Sequence, residues 1–177
     1  MDAANLDRLR DLIRDVPDFP QPGIVFKDIT PLIGDPVAFS TIIDVIVVHF
    51  GRGKVDKVVG IEARGFILAS PVAYHFNAGF VPVRKKGKLP WQTEGEEYEL
   101  EYGTETLEIH RDALGPGDRV LIVDDVLATG GTAKATATLV ERLGAKVVGI
   151  ACVIELAFLG GRKKLESYEF LSLIRYD

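Results

Sequence analysis

Residues 119–132 read Arg-Val-Leu-Ile-Val-Asp-Asp-Val-Leu-Ala-Thr-Gly-Gly-Thr. The apolar run at 120–123 is short and continuous, which is typical of a strand buried on both faces. From Ala133 onwards, apolar residues recur at helical spacing until Gly144 ends the run. The stretch therefore predicts a buried strand, an acidic pair at its carboxyl end, a loop of Thr and Gly, and then a helix N-terminus.

This order of elements favours the binding of a sugar phosphate. A helix N-terminus presents unpaired N–H groups and a partial positive charge, which suit a phosphate. Gly130 and Gly131 lack a Cβ, so the backbone can curve its amides around an anion. Thr129 and Thr132 add hydroxyl donors. The acidic pair at 124–125 would repel a phosphate in contact with it but suits the hydroxyls of a sugar close by, so we interpret the stretch as a ribose 5-phosphate site.

Three other kinds of structure share parts of this pattern. A P-loop requires Lys before its Ser or Thr, and this loop contains no Lys. A dinucleotide-binding fingerprint places its glycines directly after a first strand, whereas Gly115 and Gly117 precede a strand. An ordinary strand, polar turn and helix explains neither the two acids nor the paired glycines.

The composition indicates a globular protein. The 177 residues suffice for one domain with a buried core, and an apolar content of 47% argues against disorder. The net charge of -5 and a pI near 5.3 argue against a nucleic-acid partner. The single Cys152 lies in an apolar run, which indicates a buried thiol in a strand and excludes a disulfide within the chain.

The N-terminus is charged where a signal peptide would be apolar, and no apolar run reaches the roughly 18 residues of a membrane span. We therefore expect a cytoplasmic protein without a membrane partner.

Strand and helix patterns alternate along the chain. Helices are predicted near the N-terminus, from Asp35-Pro36 to about Phe50, and at 65–76. Strands are predicted at 57–61, 80–83 and 120–123 and from Val147, with 168–174 as an edge strand. Residues 84–97 are predicted to form a mobile loop, and 98–110 a hairpin around Gly103. Such alternation predicts an α/β fold with a mainly parallel sheet and helices on both faces.

Two further segments carry charges that suit phosphate. Glu62-Ala63-Arg64-Gly65 follows a predicted strand and opens a predicted helix, so it forms a second anion cradle with Arg64 as its charge. Arg84-Lys85-Lys86-Gly87-Lys88 is a basic run within the predicted mobile loop. Ligands of open α/β sheets bind beyond the carboxyl ends of the strands, where these segments should converge. The alternatives are solvated surface charges or, for the basic run, a nuclear-localisation sequence.

At this point the chain resembles a known family. Residues 123–132 resemble the phosphoribosyl pyrophosphate motif of the type I phosphoribosyltransferases. Four more segments resemble the adenine-specific members of that family, in the family's order and over nearly the whole chain. They are Pro22-Gly23-Ile24-Val25-Phe26-Lys27-Asp28-Ile29-Thr30-Pro31, Glu62-Ala63-Arg64-Gly65-Phe66, Arg84-Lys85-Lys86-Gly87-Lys88-Leu89-Pro90 and Leu100-Glu101-Tyr102-Gly103.

The resemblance implies one phosphoribosyltransferase domain over residues 1–177. Its mainly parallel twisted sheet would be flanked by helices, with a small hood that contributes the base pocket over 1–35 and a flexible loop over 84–104. The implied reaction moves the 5-phosphoribosyl group from 5-phosphoribosyl 1-diphosphate to adenine and gives AMP and diphosphate, as in purine salvage. Mg²⁺ would be carried with the diphosphate, since the sequence shows no protein cage for a metal. The family also suggests a homodimer.

The same resemblance implies a role for each site residue. The ribose 5-phosphate loop would comprise Asp124, Asp125, Ala128, Thr129, Gly130, Gly131 and Thr132. Pyrophosphate would be held by Glu62, Ala63, Arg64, Arg84, Lys85 and Lys88, and in this family the peptide before the middle residue of the 62–64 loop is often cis. Val25, Phe26, Lys27 and Leu156 would bind adenine. Glu101, Tyr102, Arg64 and Lys88 would be catalytic, with Glu101 as the acid or base near the purine.

Two of these expectations have competing explanations. An extended backbone at 25–28 matches the donor and acceptor edge of adenine, and Phe26 can stack on the ring, but a buried Phe on a turn fits the same residues. Lys27 stands where the family often has Arg, and Lys lacks the planar fork for a bidentate contact. Glu99 and Glu101 also fit a hairpin with one face in water.

Three alternative functions remain at this stage. The first is transfer to another purine, guanine or xanthine, on the same scaffold. A non-catalytic sensor of the phosphoribosyl donor would require a DNA-binding extension or a basic face, against which the acidic composition argues. A phospho-acceptor role for Asp124 leaves the paired glycines unexplained.

Overall fold

A computed structural model describes residues 3–99 and 103–177 of the chain, and residues 3–5 by their backbone only. The helices are α1 (Ala3–Asp11), α2 (Thr30–Gly34), α3 (Pro36–Phe50), α4 (Arg64–Phe76) and α5 (Gly131–Arg142). The strands are β1 (Arg14–Pro17), β2 (Val25–Asp28), β3 (Lys57–Ile61), β4 (Gly79–Lys85), β5 (Thr93–Glu99), β6 (Thr104–His110), β7 (Arg119–Leu127), β8 (Lys146–Leu156) and β9 (Phe170–Tyr176). Two 3₁₀ segments follow β8, at Ala157–Leu159 and Gly161–Leu165.

The chain divides into two compact units, Met1–Val45 and Ile46–Asp177. The division lies beyond residue 35, where the predicted hood ends. A single domain over 1–177 stays a prediction. None of the described helices is both long enough and apolar enough to cross a membrane.

The first unit contains a small hairpin. β1 and β2 pair antiparallel, with Val16 opposite Phe26. Lys27 Nζ lies 2.6 Å from Asp15 Oδ1, and the rings of Phe26 and Phe19 meet edge to face at 5.2 Å. The extended backbone expected at 25–28 is thus present as β2, whereas β1 was not predicted.

Helix α3 begins where the helix from Asp35-Pro36 was predicted. Asp35 Oδ1 accepts the Ala38 N–H at 2.7 Å, and Pro36 is the first helical residue. This side-chain acceptor satisfies a backbone donor that the first turn of a helix cannot pair internally.

The second unit is built on a seven-stranded sheet of order β5-β6-β4-β3-β7-β8-β9. β4, β3, β7, β8 and β9 run parallel, while β6 pairs antiparallel with both β4 and β5. The predicted mainly parallel sheet is therefore confirmed, and the predicted edge strand near the C-terminus is β9.

Helices cover both faces of this sheet. A Cβ placed on Gly60 of β3 would lie 2.8 Å from the Cβ of Ala69 in α4, so this close approach requires glycine. The neighbouring Val59 and Ile61 belong to a buried cluster that includes Leu139 of α5. Because successive side chains of a strand point to opposite faces, α4 and α5 lie on opposite sides.

Strand β7 is longer than the predicted run at 120–123. It pairs with β8 as far as Leu127 opposite Glu155, so Asp124 and Asp125 lie within the strand rather than after it. The correction has a simple cause: the long apolar β8 continues to offer backbone partners beyond Val123.

Part of the predicted loop is also strand. We expected flexible chain over 84–104, but Thr93–Glu99 forms β5 and pairs with β6 from Thr93 opposite His110 to Glu99 opposite Thr104. Arg142 of α5 binds the carboxylate of Glu96 and the carbonyl of Gly95, the latter at 2.8 Å. These tertiary contacts stabilise a strand whose acidic sequence does not indicate one. The mobility of the remaining turn stays a prediction, and residues 100–102 lie outside the described part of the chain.

Candidate active site

The loop between β7 and α5 forms one wall of the site. Gly130 precedes the helix with φ of 77°, in the left-handed region that favours glycine. Among the described side chains none caps this helix end, so its first N–H groups face the site as donors for an anion. Thr129 and Thr132 line the same wall, as predicted.

This loop is held by backbone packing. A Cβ added to Gly130 would lie 2.5 Å from the carbonyl oxygen of Gly161, and one added to Gly161 would lie 2.2 Å from the carbonyl oxygen of Ala128. A Cβ on Gly131 would lie 3.1 Å from the ring of Tyr98. The close approach of other backbone and ring atoms therefore explains why glycine occupies these positions.

The loop between β3 and α4 forms the facing wall. The Glu62–Ala63 peptide is cis, as the resemblance implied, and α4 begins at Arg64. The two walls meet where a Cβ on Gly65 would lie 2.9 Å from Asp124 Oδ1. Separate loops after β3 and β7 thus converge at the carboxyl ends of the strands, as predicted.

The acidic pair lies where the two walls meet. Asp125 is 5% exposed, and its Oδ2 lies 2.8 Å from Arg64 Nη2. Asp124 Oδ1 accepts the Asp125 N–H at 2.9 Å. Burial, together with the neighbouring Asp125 carboxylate, raises the pKa of Asp124 well above its ordinary value. The pair offers oxygen acceptors to a hydroxyl-bearing ligand.

The basic run is attached to Glu62. Its buried carboxylate binds Lys88 Nζ, accepts Arg84 Nε at 3.2 Å and accepts the Lys85 N–H at 3.1 Å. Burial by itself would raise the pKa of Glu62, but these hydrogen bonds and the charge of Arg84 bring it below its ordinary value. Glu62 thus acts as the anchor of the cationic segment predicted to bind pyrophosphate.

Two polar residues of the site were not predicted. Glu105 Oε1 lies 2.6 Å from Lys85 Nζ, and Glu105 Oε2 accepts the Tyr98 hydroxyl at 3.1 Å. The bond to Glu105 raises the pKa of Lys85, and burial raises the pKa of Tyr98. The only sequence signal for them was the hairpin itself, since their side chains reach the site through the pairing of β5, β6 and β4.

These groups surround one cavity of about 300 Å³. Its predicted lining residues are Glu62, Ala63, Arg64, Lys85, Asp124, Asp125, Ala128, Thr129, Gly130 and Thr132. Its unpredicted ones include Ile61, Tyr98, Glu105, Leu107, Val126, Leu127 and Ala133.

Other predicted residues lie elsewhere. Arg84 and Lys88 contact Glu62 without lining the cavity, and Leu156 ends β8. Val25, Phe26 and Lys27 belong to the N-terminal unit. Glu101 and Tyr102 lie outside the described residues.

The chemistry of the cavity suits a diphosphorylated sugar. Two helix N-termini and the cations Arg64 and Lys85 can bind phosphoryl groups at separate positions, and the carboxylates between them can accept hydrogen bonds from sugar hydroxyls. Within residues 3–99 and 103–177, no three His, Cys, Asp or Glu side chains come together as a metal site.

Comparison with known proteins agrees with this geometry. A family model described as a phosphoribosyl transferase domain matches residues 40–172. The adenine phosphoribosyltransferase of Acidothermus cellulolyticus is 61% identical over 163 residues, which cover 92% of this chain and 92% of that protein. This chain belongs to the adenine phosphoribosyltransferase family.

Solved adenine phosphoribosyltransferase structures share the fold. The enzyme from Rhodothermus marinus superposes with a TM-score of 0.95 at 56% identity and covers 99% of this chain and 100% of its own. The enzyme from Saccharomyces cerevisiae, complexed with an imino-altritol bisphosphate and adenine, gives a TM-score of 0.91 at 40% identity, with coverage of 97% and 99%. The type I phosphoribosyltransferase fold is therefore confirmed.

Proposed function

We propose that this phosphoribosyltransferase transfers the 5-phosphoribosyl group from 5-phosphoribosyl 1-diphosphate to adenine and releases AMP and diphosphate, a reaction of purine salvage. The observation that carries this proposal is the single cavity bounded by two strand–loop–helix anion sites with an acidic pair between them. Family membership supports the choice of adenine as acceptor.

The cavity residues divide the substrate between them. The backbone amides at 128–132 hold the 5-phosphate and orient the sugar. Asp124 and Asp125 accept hydrogen bonds from the ribose hydroxyls and favour the positive charge that develops on the sugar as the C1–O bond breaks. Val25, Phe26, Lys27 and Leu156 bind adenine.

Charge on the departing diphosphate is stabilised by the facing wall. Arg64 and Lys85 line the cavity beside it, and Glu62 keeps Arg84 and Lys88 at the adjoining segment. Preorganised cations stabilise charge that builds up in the transition state more than charge in the ground state. Mg²⁺ carried with the diphosphate substrate would neutralise part of the charge on its phosphoryl groups. Glu101 and Tyr102 act near the purine, with Glu101 as the acid or base. The protein works as a cytoplasmic homodimer.

The test is AMP formation from labelled 5-phosphoribosyl 1-diphosphate with adenine, guanine or xanthine as acceptor. We expect turnover with adenine, and turnover with guanine but not adenine would contradict the proposal.

The double variant Asp124→Asn, Asp125→Asn should lower kcat/KM about 100-fold, because each Asn loses the negative charge and replaces one of the two acceptor oxygens with an N–H donor, which disturbs the positioning of the ribose. The matched control is Asp118→Asn at the other end of β7, where the carboxylate accepts only the Gly115 N–H at 2.9 Å among the contacts described. This control should retain wild-type activity.

A further inference from the structure

The β7–α5 loop packs against the segment after β8 that contains Gly161. None of the described residues of that segment lines the cavity. Gly161 fits against the backbone of Ala128 and Gly130, since a Cβ on Gly161 would lie 2.2 Å from the carbonyl oxygen of Ala128 and 2.8 Å from the N of Gly130. No described side chain caps α5, and this backbone contact, together with the packing of Tyr98 near Gly131, restricts how the loop can curve. The position of Gly161 therefore affects the shape of the anion-binding β7–α5 loop.

Gly161 is fixed by its neighbour. Arg162 binds Glu155 through two parallel hydrogen bonds, Nε to Oε1 at 2.8 Å and Nη2 to Oε2 at 2.5 Å. Its guanidinium lies over the ring of Phe170 at 4.5 Å, and its Nη2 also donates to Ser172 Oγ at 3.1 Å. A planar guanidinium that donates from two of its three nitrogens, Nε and Nη2, is restricted in orientation as well as in position.

Glu155 provides a rigid base for this contact. It is 2% exposed, belongs to β8 and accepts the Ser172 hydroxyl at 2.7 Å. The Arg162 hydrogen bonds lower the pKa of Glu155 despite its burial, so it is an anion at neutral pH. The segment from Leu156 to Gly161 is thus closed at its base by an ion pair anchored in the sheet.

We propose that Glu155 and Arg162 are positioning residues that hold the β7–α5 loop, through Gly161, in the shape that binds the 5-phosphate. The inference rests on the proposed function for the identity of that phosphate. The pair touches neither the β3–α4 loop nor the basic run in any contact described, so it should act on the 5-phosphate and not on pyrophosphate.

The experiment compares ribose 5-phosphate with inorganic pyrophosphate as calorimetric probes of the intact protein. Arg162→Lys keeps the charge and loses the fork, and Glu155→Gln keeps the shape and loses the charge. Each should weaken ribose 5-phosphate binding, and raise KM for 5-phosphoribosyl 1-diphosphate, by about tenfold, since small misplacements of a binding loop have large effects. Pyrophosphate binding should change by less than about twofold, within the range of a contact that is not involved.

Arg142→Lys is the matched control. Arg142 also joins two elements through carboxylates, those of Glu94 and Glu96, but at the far end of α5. It should leave both affinities within about twofold of wild type. Gly161→Ala, which disturbs the contact directly, should reproduce the selective loss of ribose 5-phosphate binding, with a melting temperature lowered by the clash against the Ala128 carbonyl oxygen.

Equal losses for both probes, or an unchanged affinity for ribose 5-phosphate in a folded Arg162→Lys protein, would overturn the inference. If the wild type forms no AMP while the variants still lose ribose 5-phosphate selectively, the proposed function fails and the positioning role stands.

Discussion

The β3–α4 loop and the β7–α5 loop both present a helix N-terminus to the cavity, but different interactions hold them in place. Each follows a parallel strand and opens a helix, and they approach each other at Gly65 and Asp124. The first is surrounded by ion pairs, with Glu62 and Arg64 both bound to opposite charges. The second is shaped by backbone contacts between Gly130 and Gly161. Under the proposed function, the charged loop stabilises the departing diphosphate, and the loop held by backbone contacts binds the 5-phosphate throughout the reaction.

We expect the largest loss of activity when a Cβ is introduced into the β7–α5 loop. Gly130→Ala would place a methyl 2.5 Å from the Gly161 carbonyl oxygen, at a φ of 77°, so the loop must move. We expect kcat/KM for 5-phosphoribosyl 1-diphosphate to fall about 100-fold or more.

Gly160→Ala is the control for Gly130→Ala. Its φ of 68° is similar, but a Cβ there meets nothing within 4 Å. It pays only the conformational cost of the left-handed region, about 1 kcal/mol of stability. A comparable loss of activity in both variants would show that strain, not the interlocked backbone, explains the effect.

We expect a smaller loss of binding when the ion pairs of the β3–α4 loop are disrupted. Glu62→Gln releases Lys88 and weakens the hold on Arg84, so pyrophosphate should bind about tenfold more weakly, at roughly 1.4 kcal/mol per decade. Ribose 5-phosphate binding should stay within about twofold of wild type, because the opposite loop is unchanged. Calorimetry with the two probes measures this, and a loss shared equally by both would contradict the division of roles.

The two loops should also differ in the sign of their pH dependence. The pKa of Asp124 is raised in the folded state, so its stabilising contribution is complete below the unfolded value of 3.8 and is lost as pH rises through the folded value. Asp124→Asn should therefore melt at a higher temperature than wild type at pH 7, where the buried carboxyl of Asp124 is most costly.

Glu62 provides the opposite case. Its folded pKa is lowered from 4.5, so its contribution is present above that value and is lost as pH falls through the folded value. Glu62→Gln should melt lower than wild type at pH 7, and the difference should disappear on acidification. Melting curves across pH check both variants, and shifts of the same sign would contradict the assignment.

The smallest effect should come from the hydroxyl of Tyr98. Tyr98→Phe keeps the ring that packs near Gly131 and removes the hydrogen bond to Glu105. A single hydrogen bond of about 1 kcal/mol predicts a rise of about two- to fivefold in KM for 5-phosphoribosyl 1-diphosphate. Tyr74→Phe, at a residue 83% exposed on α4, is the control, and an equal effect there would remove Tyr98 from the site.

The sequence predicted those parts of the site that depend on neighbours along the chain. Residue types alone indicate the order of strand, acidic pair, glycine loop and helix at 119–143. The same is true of Glu62-Ala63-Arg64-Gly65. Tyr98 and Glu105 were missed as site residues because the predicted hairpin at 98–110 does not show which of its side chains face the site. The part of β5 before Tyr98 was predicted as loop, because its pairing with β6 and its contacts with Arg142 depend on residues distant in the chain.

The sequence by itself therefore determined the mainly parallel α/β fold and the two anion loops, because hydrophobic periodicity and glycine placement act over a few residues. Only the tertiary structure decided how far β7 extends, which carboxylate holds each cation, and that Gly161 must be a glycine. Those features depend on contacts between residues distant in the chain, such as the Ala128 carbonyl against Gly161. A local sequence pattern does not indicate how closely two distant backbone segments approach.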